Sequence, residues 1–508
     1  MWRYLGGRVP RVFGNPRAAA TLALVVIIAW AALAWALLRP SGIVFDNQGW
    51  RQADTQSIAR YFSEPGANLF YPRVNWGGDG PGYAETEFQL YTWLVAIILR
   101  VAGDAEWPGQ LLSLLASAGA AFALFLGLAR RHGYLPAFSG LGIFLVCPSV
   151  IFVATSVQPD ALALLGYVVA WFAFLDFEEK GSLRPLVTYA IVATLAMLVK
   201  PTMAQIGISS FVLLCLRSRH RLKQMPLWLT WGLMIVVLAL YLRHALSLYR
   251  EYGNSFGILS GNDAKTPHFE HLLMPELYFK AAHVVRRFGV GILGTLAIAS
   301  ALLRPRMQLV TWALLAGNVF WTIFSLRYSS DEGAGTHYTL AYAVLAAYAA
   351  SQTLASVSPK WLTRGALVVL LLVPLSGFRM FKFRLWSHAV DPSVPFVAAA
   401  ARELAKVALP NDLVIVRTDH VRYDHFWRTT NNPNDPRVLY LTRTRGWGLF
   451  ADDTDLRTLD KHHAHGARFY VQPFPAGEAP AVEAWLARNT EQSRTTERGG
   501  RIAILRSR

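Results

Sequence analysis

Long apolar segments separated by short polar ones recur through the first three quarters of the chain. Helices of about 20 apolar residues are long enough to cross the hydrocarbon core of a bilayer. The predicted spans lie near 18–38, 109–129, 135–155, 161–177, 186–199, 202–216, 227–243, 288–303, 308–326, 338–356 and 361–378. We treat 186–199 and 202–216 as two short helices meeting at Lys200-Pro201-Thr202, because proline is well tolerated at a helix start. The pattern predicts a polytopic α-helical membrane protein with about 11 transmembrane helices.

One further apolar segment, 88–101, decides the predicted topology. It is about 14 residues long and ends near Arg100 and Gly103, which is typical of an interfacial helix rather than a span. If it does not span, the later basic clusters all lie on the side of the N-terminus, which the positive-inside rule assigns to the cytoplasm. These clusters lie at 130–132, 180–184, 217–223, 304–306 and 360–364. We therefore expect a cytoplasmic N-terminus and a helix over 88–101 on the outer membrane surface.

The first span is expected to be retained in the mature protein. It follows Arg3, Arg8, Arg11 and Arg17, and it is too long for the apolar core of a signal peptide. With a cytoplasmic N-terminus and a retained first span, several polar segments are predicted to lie on the outer side. They are the loop 39–108, Gln158-Pro159-Asp160, Lys200, the loop 244–287, the segment 327–337 and everything after residue 378.

After about residue 379 the apolar segments shorten and the pattern changes to that of an α/β domain. Strands are predicted at 413–416, 438–441, 468–472 and 502–505, and helices at 393–408, 453–463 and 480–489. Strands that alternate with helices favour a mainly parallel sheet. We expect a membrane domain over 1–378 and a small extracytoplasmic α/β domain over 379–508.

Composition supports the membrane assignment. Of 508 residues, 54% are hydrophobic and only 16% are charged, and the mean hydropathy is +0.31. The net charge of +17 does not indicate nucleic-acid binding, because the basic residues come in short clusters between apolar segments. Cys147 and Cys215 both lie within apolar segments, so no disulfide framework is predicted.

The loop 39–108 has two acidic residues and an arginine near its start and two further acidic residues near its end. Asp46 and Asp54 flank Arg51, and a short helix is predicted over 53–62. If that helix began a turn earlier, Arg51 and Asp54 would share one face at i, i+3. Glu85 and Glu87 precede the surface helix. An acid beside a cation, outside an apolar wall, suits a general base that works next to an anionic leaving group.

Each candidate also has a purely structural explanation. The loop acids are ordinary solvated charges in that interpretation. Asp160 would cap the helix after Pro159, and Lys200 would mark the end of a span by extending its amine to the surface. The segment 461–465, with three histidines, could hold a metal, but neighbours this close favour a solvated helix end.

Several segments together resemble the GT-C glycosyltransferases, and most closely the glycosyltransferase-39-like enzymes. That group includes protein O-mannosyltransferases and lipid A aminoarabinose transferases. The segments that carry the resemblance are Trp50-Arg51-Gln52-Ala53-Asp54-Thr55 with Ile58-Ala59-Arg60, Tyr71-Pro72-Arg73-Val74-Asn75-Trp76, Glu87-Phe88-Gln89-Leu90-Tyr91 and His337-Tyr338-Thr339-Leu340. The resemblance covers roughly the whole membrane part.

The resemblance implies an inverting transfer of a sugar from a polyprenyl-phosphate donor to an acceptor hydroxyl. The family's early Asp-Glu pair is absent here, so two acids are candidates for the base. Asp54 is our first candidate and Asp46 the second. Glu87 would orient the sugar or acceptor, or share a divalent cation with an Asp. Arg51, Lys200, Arg327 and His337 are the implied ligands of the donor phosphate. Asp160, Glu85, Tyr338 and Trp50 are the implied substrate-binding residues.

Two other functions remain alternatives. A lipid or sugar transporter or flippase would place charges at mid-membrane and show paired halves, whereas here the charges gather at one face. A non-catalytic assembly subunit of the cell envelope would use the C-terminal domain as a binding module and would leave the loop acids without a shared role. The expected partners are a polyprenyl-phosphate sugar, membrane lipid and an acceptor glycan, lipid or protein. The expected location is a bacterial inner membrane.

Overall fold

The computed structural model describes residues 15–38, 42–46, 48–261, 269–303, 308–333, 335–357, 359–387, 392–475 and 477–507. Over these residues the chain is mainly helical, with strands concentrated in the last hundred residues. The helices are α1 (Pro16–Leu38), α2 (Gly49–Ser63), α3 (Leu90–Ala102), α4 (Trp107–His132), α5 (Tyr134–Leu145), α6 (Pro148–Ala154), α7 (Asp160–Lys180), α8 (Leu183–Val199), α9 (Gln205–Arg217), α10 (Met225–Tyr252), α11 (Pro275–Val284), α12 (Gly291–Leu302), α13 (Leu309–Phe324), α14 (Leu326–Ser329), α15 (Gly335–Tyr338), α16 (Tyr342–Ala355), α17 (Pro359–Ser387), α18 (Val394–Leu404), α19 (Arg437–Thr442), α20 (Leu456–Ala464) and α21 (Pro480–Asn489).

The strands are β1 (Ala84–Glu85), β2 (Asn254–Ser255), β3 (Leu413–Arg417), β4 (Tyr423–Asp424), β5 (Thr429–Thr430), β6 (Arg445–Leu449), β7 (Phe469–Gln472), β8 (Thr490–Thr495) and β9 (Arg501–Leu505). Contacts between residues divide the chain into two units. The helical unit comprises 1–39, 110–239 and 267–386, and the mixed unit comprises 40–109, 240–266 and 387–508. The first long loop therefore groups with the C-terminal segment.

Five helical segments are long and apolar enough to cross a membrane, by length and composition. They are Pro16–Leu38, Trp107–His132, Asp160–Lys180, Met225–Tyr252 and Pro275–Leu302. A sixth results if α5 and α6, bent by 66° at their junction, form one span. The predicted count of eleven is not confirmed in the part of the chain that the structure describes. Three of the predicted spans correspond to the shorter apolar helices α8, the Pro201–Arg217 segment and α13, and the segment 338–356 is interrupted between α15 and α16.

Within the helical unit, α7 packs on α8, α9 on α13, and α5 and α12 on α16. Charged residues tie the helix ends together. Arg131 at the end of α4 pairs with Asp176 of α7 at 2.6 Å, and Arg217 of α9 pairs with the buried Glu178 at 3.5 Å. These arginines belong to the clusters predicted to be cytoplasmic, so part of that positive charge joins neighbouring helices instead of being free in solvent.

The C-terminal part of the mixed unit contains a five-stranded mixed sheet with the order β6-β3-β7-β9-β8. β3 pairs with β6 and β7 in parallel, whereas β9 pairs antiparallel with both β7 and β8. Its core includes Ile415, Tyr470, Trp485 and Ala503. The strands predicted at 413–416, 468–472 and 502–505 are present, whereas β6 and β8 were missed because alternation is weak in them.

The strand predicted at 438–441 is wrong, because these residues lie in α19. The Asp435 carboxylate accepts hydrogen bonds from the Arg437 backbone N–H at 2.9 Å and from its guanidinium, which starts the helix. Nearly every side chain of α19 is buried. A short apolar segment buried on all sides has no period from which helix and strand can be told apart.

Candidate active site

The start of the first loop is shaped by α2. This helix begins at Gly49, a turn earlier than the predicted 53–62, so Arg51 and Asp54 do lie on one helix at i, i+3. A Cβ on Gly49 would lie 2.3 Å from the carbonyl oxygen of Val44, so the close approach of the preceding 3₁₀ turn requires glycine. The turn places Asp46 just before the helix.

Asp54 is held by an indole. The Trp76 Nε1–H donates to Asp54 Oδ1 at 2.8 Å, and the Asp54 residue is only 5% exposed. An indole N–H can only donate, so its partner oxygen must act as an acceptor. The contact therefore fixes the orientation of the Asp54 carboxylate.

Asp46 is held by a different donor and is fully buried. The Gln52 side-chain amide donates to Asp46 Oδ2 at 2.7 Å. A buried carboxylate is costly unless it is hydrogen-bonded, so both loop acids meet the physical condition for burial. The structure therefore excludes the interpretation that Asp46 and Asp54 are ordinary solvated charges.

The two acids late in the loop differ from each other. Glu85 has no exposed surface, and its carboxylate accepts hydrogen bonds from the backbone N–H of Leu259 at 2.7 Å and from the hydroxyls of Ser255 and Ser260. Glu87 is partly buried, and its carbonyl oxygen accepts a hydrogen bond from the Gln89 amide at 3.0 Å. Glu85 thus has protein donors on both oxygens, an environment different from that of a substrate-binding acid.

Trp50 lies one helical turn before Asp54, on the same side of α2. Its ring is partly buried, and the His420 ring from the C-terminal segment lies 5.2 Å away, centroid to centroid. Contacts elsewhere link the same two segments: the Gly78 N–H donates to the Gly446 carbonyl oxygen at 2.8 Å, and Arg60 lies over the Tyr440 ring at 4.7 Å. The candidate base is therefore supported by the fold of the mixed unit.

The helical unit holds a second group of the predicted residues. His337 in α15 and Asp160 at the first position of α7 are both buried, with Nδ1 and Oδ1 3.5 Å apart. The Phe152 ring packs edge-on against His337 at 5.5 Å. Asp160 therefore does more than sit at a helix start, where a carboxylate also interacts favourably with the helix dipole.

Arg327 and Tyr338 belong to the same region of the helical unit. The Tyr328 and Tyr338 rings are stacked, with centroids 5.3 Å apart and planes 13° from parallel. The Arg327 guanidinium lies 5.0 Å from the Tyr328 ring centroid. The neighbouring helices α14 and α15 thus place Arg327 and Tyr338 against the same tyrosine, Tyr328, while His337 on α15 pairs with Asp160.

Lys200 lies where α8 ends and a 3₁₀ turn, Pro201–Ala204, begins. Its backbone is extended, and its residue is only 3% exposed. Burial argues against the interpretation that this lysine extends its amine into solvent at the end of a span. The predicted phosphate ligands thus lie in the two units: Arg51 in the mixed unit, and Lys200, Arg327 and His337 in the helical unit.

Sequence reasoning missed the residues that hold the two acids. Trp76 belongs to a segment that carries the family resemblance, but its partner Asp54 is 22 positions away, and no local pattern reveals that pairing. Gln52 is also in such a segment and was not considered as a partner for Asp46. Phe256, whose ring lies 5.5 Å from that of Trp76, comes from a distant loop without any sequence signal.

The three histidines of 461–465 face different partners. His462 stacks on Trp447 with ring centroids 4.5 Å apart, His463 Nε2 lies 2.8 Å from the Arg506 carbonyl oxygen, and His465 pairs with Asp79 at 2.7 Å. Among the described residues, no group of three or more His, Cys, Asp or Glu side chains has an arrangement that could hold a metal ion. A role for a divalent cation stays a prediction.

Comparisons with known proteins agree with one another on the type of fold. The family model of dolichyl-phosphate-mannose-protein mannosyltransferase matches residues 89–242. The solved structure of ArnT from Cupriavidus metallidurans bound to undecaprenyl phosphate has a TM-score of 0.62 at 12% identity, over 96% of this chain and 98% of that one. The apo structure of the same protein has a TM-score of 0.60 at 14% identity, with the same coverage.

The archaeal oligosaccharyltransferase AglB from Archaeoglobus fulgidus, in complex with an inhibitory peptide and a dolichol-phosphate, has a TM-score of 0.48 at 11% identity, over 89% of this chain and 69% of that one. A comparison with curated protein sequences gave no match. The likeness to ArnT extends over nearly the whole length of both chains, and at this identity it is a likeness of fold.

Proposed function

This chain is a polytopic helical membrane protein with the GT-C glycosyltransferase fold, and from that premise we propose that it transfers a sugar from a polyprenyl-phosphate donor to an acceptor hydroxyl at the outer face of a bacterial inner membrane. The observation that carries the proposal is the buried carboxylate of Asp54, which lies on the same helix as Arg51 and accepts a hydrogen bond from Trp76. The lipid class is supported by the undecaprenyl phosphate bound to ArnT, whose fold this chain shares.

The proposed reaction is an inverting substitution at the anomeric carbon. Asp54 takes the proton of the acceptor hydroxyl, and that oxygen attacks the anomeric carbon from the face opposite the phosphate. The bond between the anomeric carbon and the phosphate oxygen breaks, and polyprenyl phosphate leaves with the bonding electrons. The proton on Asp54 passes to solvent or to the leaving phosphate, which restores the base.

The leaving phosphate gains a negative charge in this step, so preorganised cations accelerate it. Arg51, three residues before Asp54 on α2, is the proposed phosphate contact of the mixed unit. The family resemblance also implies Lys200, Arg327 and His337 as contacts of the phosphate, and these three stay predictions. Glu87 and Trp50 remain the proposed contacts for sugar or acceptor.

Asp54→Asn tests the assignment of the base. We expect the rate of sugar transfer to fall by a factor of about 10² or more, the usual contribution of a general base, while the protein still folds. The assay uses purified protein in liposomes with a panel of undecaprenyl-phosphate hexoses and pentoses, and mass spectrometry of the released undecaprenyl phosphate. Asp46→Asn should have a smaller effect.

Glu64→Gln is the matched control, because Glu64 is an exposed acid of the same loop that pairs only at the surface with Arg73. Near-normal turnover by Asp54→Asn would remove Asp54 from the role of base. A flippase would move the lipid without cleaving the sugar–phosphate bond, so transport without release of undecaprenyl phosphate would refute the proposed reaction itself.

A further inference from the structure

The buried carboxylate of Glu85 organises the segment 253–261, here called the 253–261 loop, which follows α10. Glu85 Oε1 accepts a hydrogen bond from the Leu259 N–H at 2.7 Å, and Oε2 accepts from the hydroxyls of Ser255 and Ser260. All three donors come from this one loop. A carboxylate that three donors engage has few free lone pairs for a substrate.

Backbone contacts reinforce this anchor. The Phe256 N–H donates to the Glu85 carbonyl oxygen at 3.0 Å, and β1 and β2 pair in parallel through Glu85 and Ser255. Gly253 and Gly257 have φ of +74° and +71°, which lets the chain curl around the Glu85 side chain. The loop is therefore wrapped around Glu85 on both its side-chain and its backbone atoms.

The middle of the loop contacts Trp76, the residue that hydrogen-bonds to the candidate base. The Phe256 ring lies 5.5 Å from the Trp76 ring at an angle of 60°, and Trp76 donates to Asp54 at 2.8 Å. Every step from Glu85 to Asp54 is a contact within the mixed unit. Because Phe256 packs on the indole that donates to Asp54, a displacement of the loop changes the packing of that indole.

We propose that Glu85 is a positioning residue that anchors the 253–261 loop, so that Phe256 locks Trp76 and hence the Asp54 carboxylate in the orientation needed to take a proton. The role in turnover rests on the proposed function, in which Asp54 is the base. The anchoring of the loop does not depend on it. Glu85 is thereby assigned to the loop and not to the substrate.

Hydrogen–deuterium exchange of the full-length protein in detergent tests the anchor directly. Glu85→Gln replaces an acceptor by a donor facing Ser255, Ser260 and Leu259, and should speed exchange of the 253–261 amides by about tenfold. Ser255→Ala combined with Ser260→Ala should do the same by removing two donors. Glu64→Gln, the exposed acid of the first loop, should leave this exchange unchanged.

Turnover of the liposome-bound protein with undecaprenyl-phosphate sugars separates positioning from substrate contact. Glu85→Gln should lower kcat by about tenfold and change KM by less than about twofold, because the reaction step loses orientation while binding is kept. Adding Ser255→Ala and Ser260→Ala to Glu85→Gln should cause no further loss, because both changes release the same loop.

Unchanged loop exchange in Glu85→Gln would overturn the proposal. A raised KM at constant kcat, or effects of the glutamate and serine changes that multiply, would also overturn it and would make Glu85 a substrate contact. If Glu85→Gln does not fold, the double variant Ser255→Ala/Ser260→Ala gives the same test, because it removes the two loop hydroxyls that donate to Glu85. Normal turnover by Asp54→Asn would refute the proposed base and leave the exchange result standing.

Discussion

The two buried carboxylates beside α2 differ in the chemistry of their donors. Asp54 accepts from an indole N–H, and Asp46 accepts from a carboxamide. The indole contact is rigid, because Trp76 is itself buried and packed against Phe256. The rigid indole contact, and the place of Asp54 on α2 three residues after Arg51, favour Asp54 over Asp46 as the general base.

Trp76→Phe tests the indole contact. This change keeps the aromatic packing on Phe256 and removes only the N–H that donates to Asp54 Oδ1. We expect the transfer rate to fall by about tenfold, because loss of a hydrogen bond to a charged group costs about 1.5–3 kcal/mol in full and part of that is recovered by water. The measurement is kcat with an undecaprenyl-phosphate sugar.

Trp93→Phe is a suitable control, since the Trp93 ring packs on Phe62 and lies under Arg100, outside the contacts that hold Asp54. Equal activity of Trp76→Phe and the unchanged protein would show that the indole N–H has no catalytic importance.

At the scale of single elements, the turn at Gly78 in the first loop packs against the sheet of the C-terminal segment. The turn at Gly78 fits against Trp447, and at its φ of +66° a Cβ would lie 2.2 Å from the indole nitrogen. His462 stacks on the same tryptophan. Together these contacts connect the first loop to β6 and α20.

The His462–Trp447 stack predicts a dependence of stability on pH. Burial, and then the charge of Lys461, lowers the pKa of His462 from 6.5 to about 4. The unfolded chain binds a proton below about pH 6.5, whereas the folded chain does so only near pH 4, so the free energy of unfolding falls as pH drops through this window. Because the ring is partly exposed, we expect a loss of about 1 kcal/mol between pH 7 and pH 5.

Thermal unfolding of His462→Phe at both pH values checks this expectation. Phenylalanine keeps the stack and does not titrate, so this variant should lose less stability on acidification than the unchanged protein. His425→Phe, at an exposed position of the same segment, should retain the full acid-induced loss. Equal acid-induced losses in His462→Phe and the unchanged protein would contradict the role of His462.

At the scale of the whole molecule, topology decides which residues can meet a donor. The positive-inside argument places 217–223 in the cytoplasm and the C-terminal segment outside. The structure contains no membrane and therefore does not test on which side either segment lies. It groups the loop 40–109 with the C-terminal segment in the mixed unit, as a shared location requires. A protein that used a lipid-linked donor at the outer face would need this arrangement.

Cysteine labelling tests the sidedness. In a Cys215→Ser background, where Cys147 is buried, Glu491→Cys and His220→Cys each place one thiol at an exposed position. A membrane-impermeant maleimide on bacterial spheroplasts should label Glu491→Cys at once and His220→Cys only after permeabilisation. Reversed labelling would refute the topology and with it the outer-face reaction.

Much of the architecture was predictable because it depends on local sequence. Long apolar segments determine helices regardless of what they pack against, and α4, α7 and α10 lie where periodicity and length place them. Basic clusters, turn residues and short apolar strands such as β3 and β7 are equally local. The candidate acids were also predictable, since Asp46 and Asp54 stand out in an apolar chain.

The tertiary structure alone decided the partners of those acids and the form of the ambiguous segments. Asp54 meets Trp76, Glu85 meets the 253–261 loop and Asp160 meets His337 across separations of 22 to more than 170 residues, which no local pattern encodes. The strand predicted at 438–441 was wrong because a short segment buried on all sides has no period that distinguishes a helix from a strand. Local sequence thus determined the elements and the candidate residues, whereas long-range packing determined which of them hold one another in place.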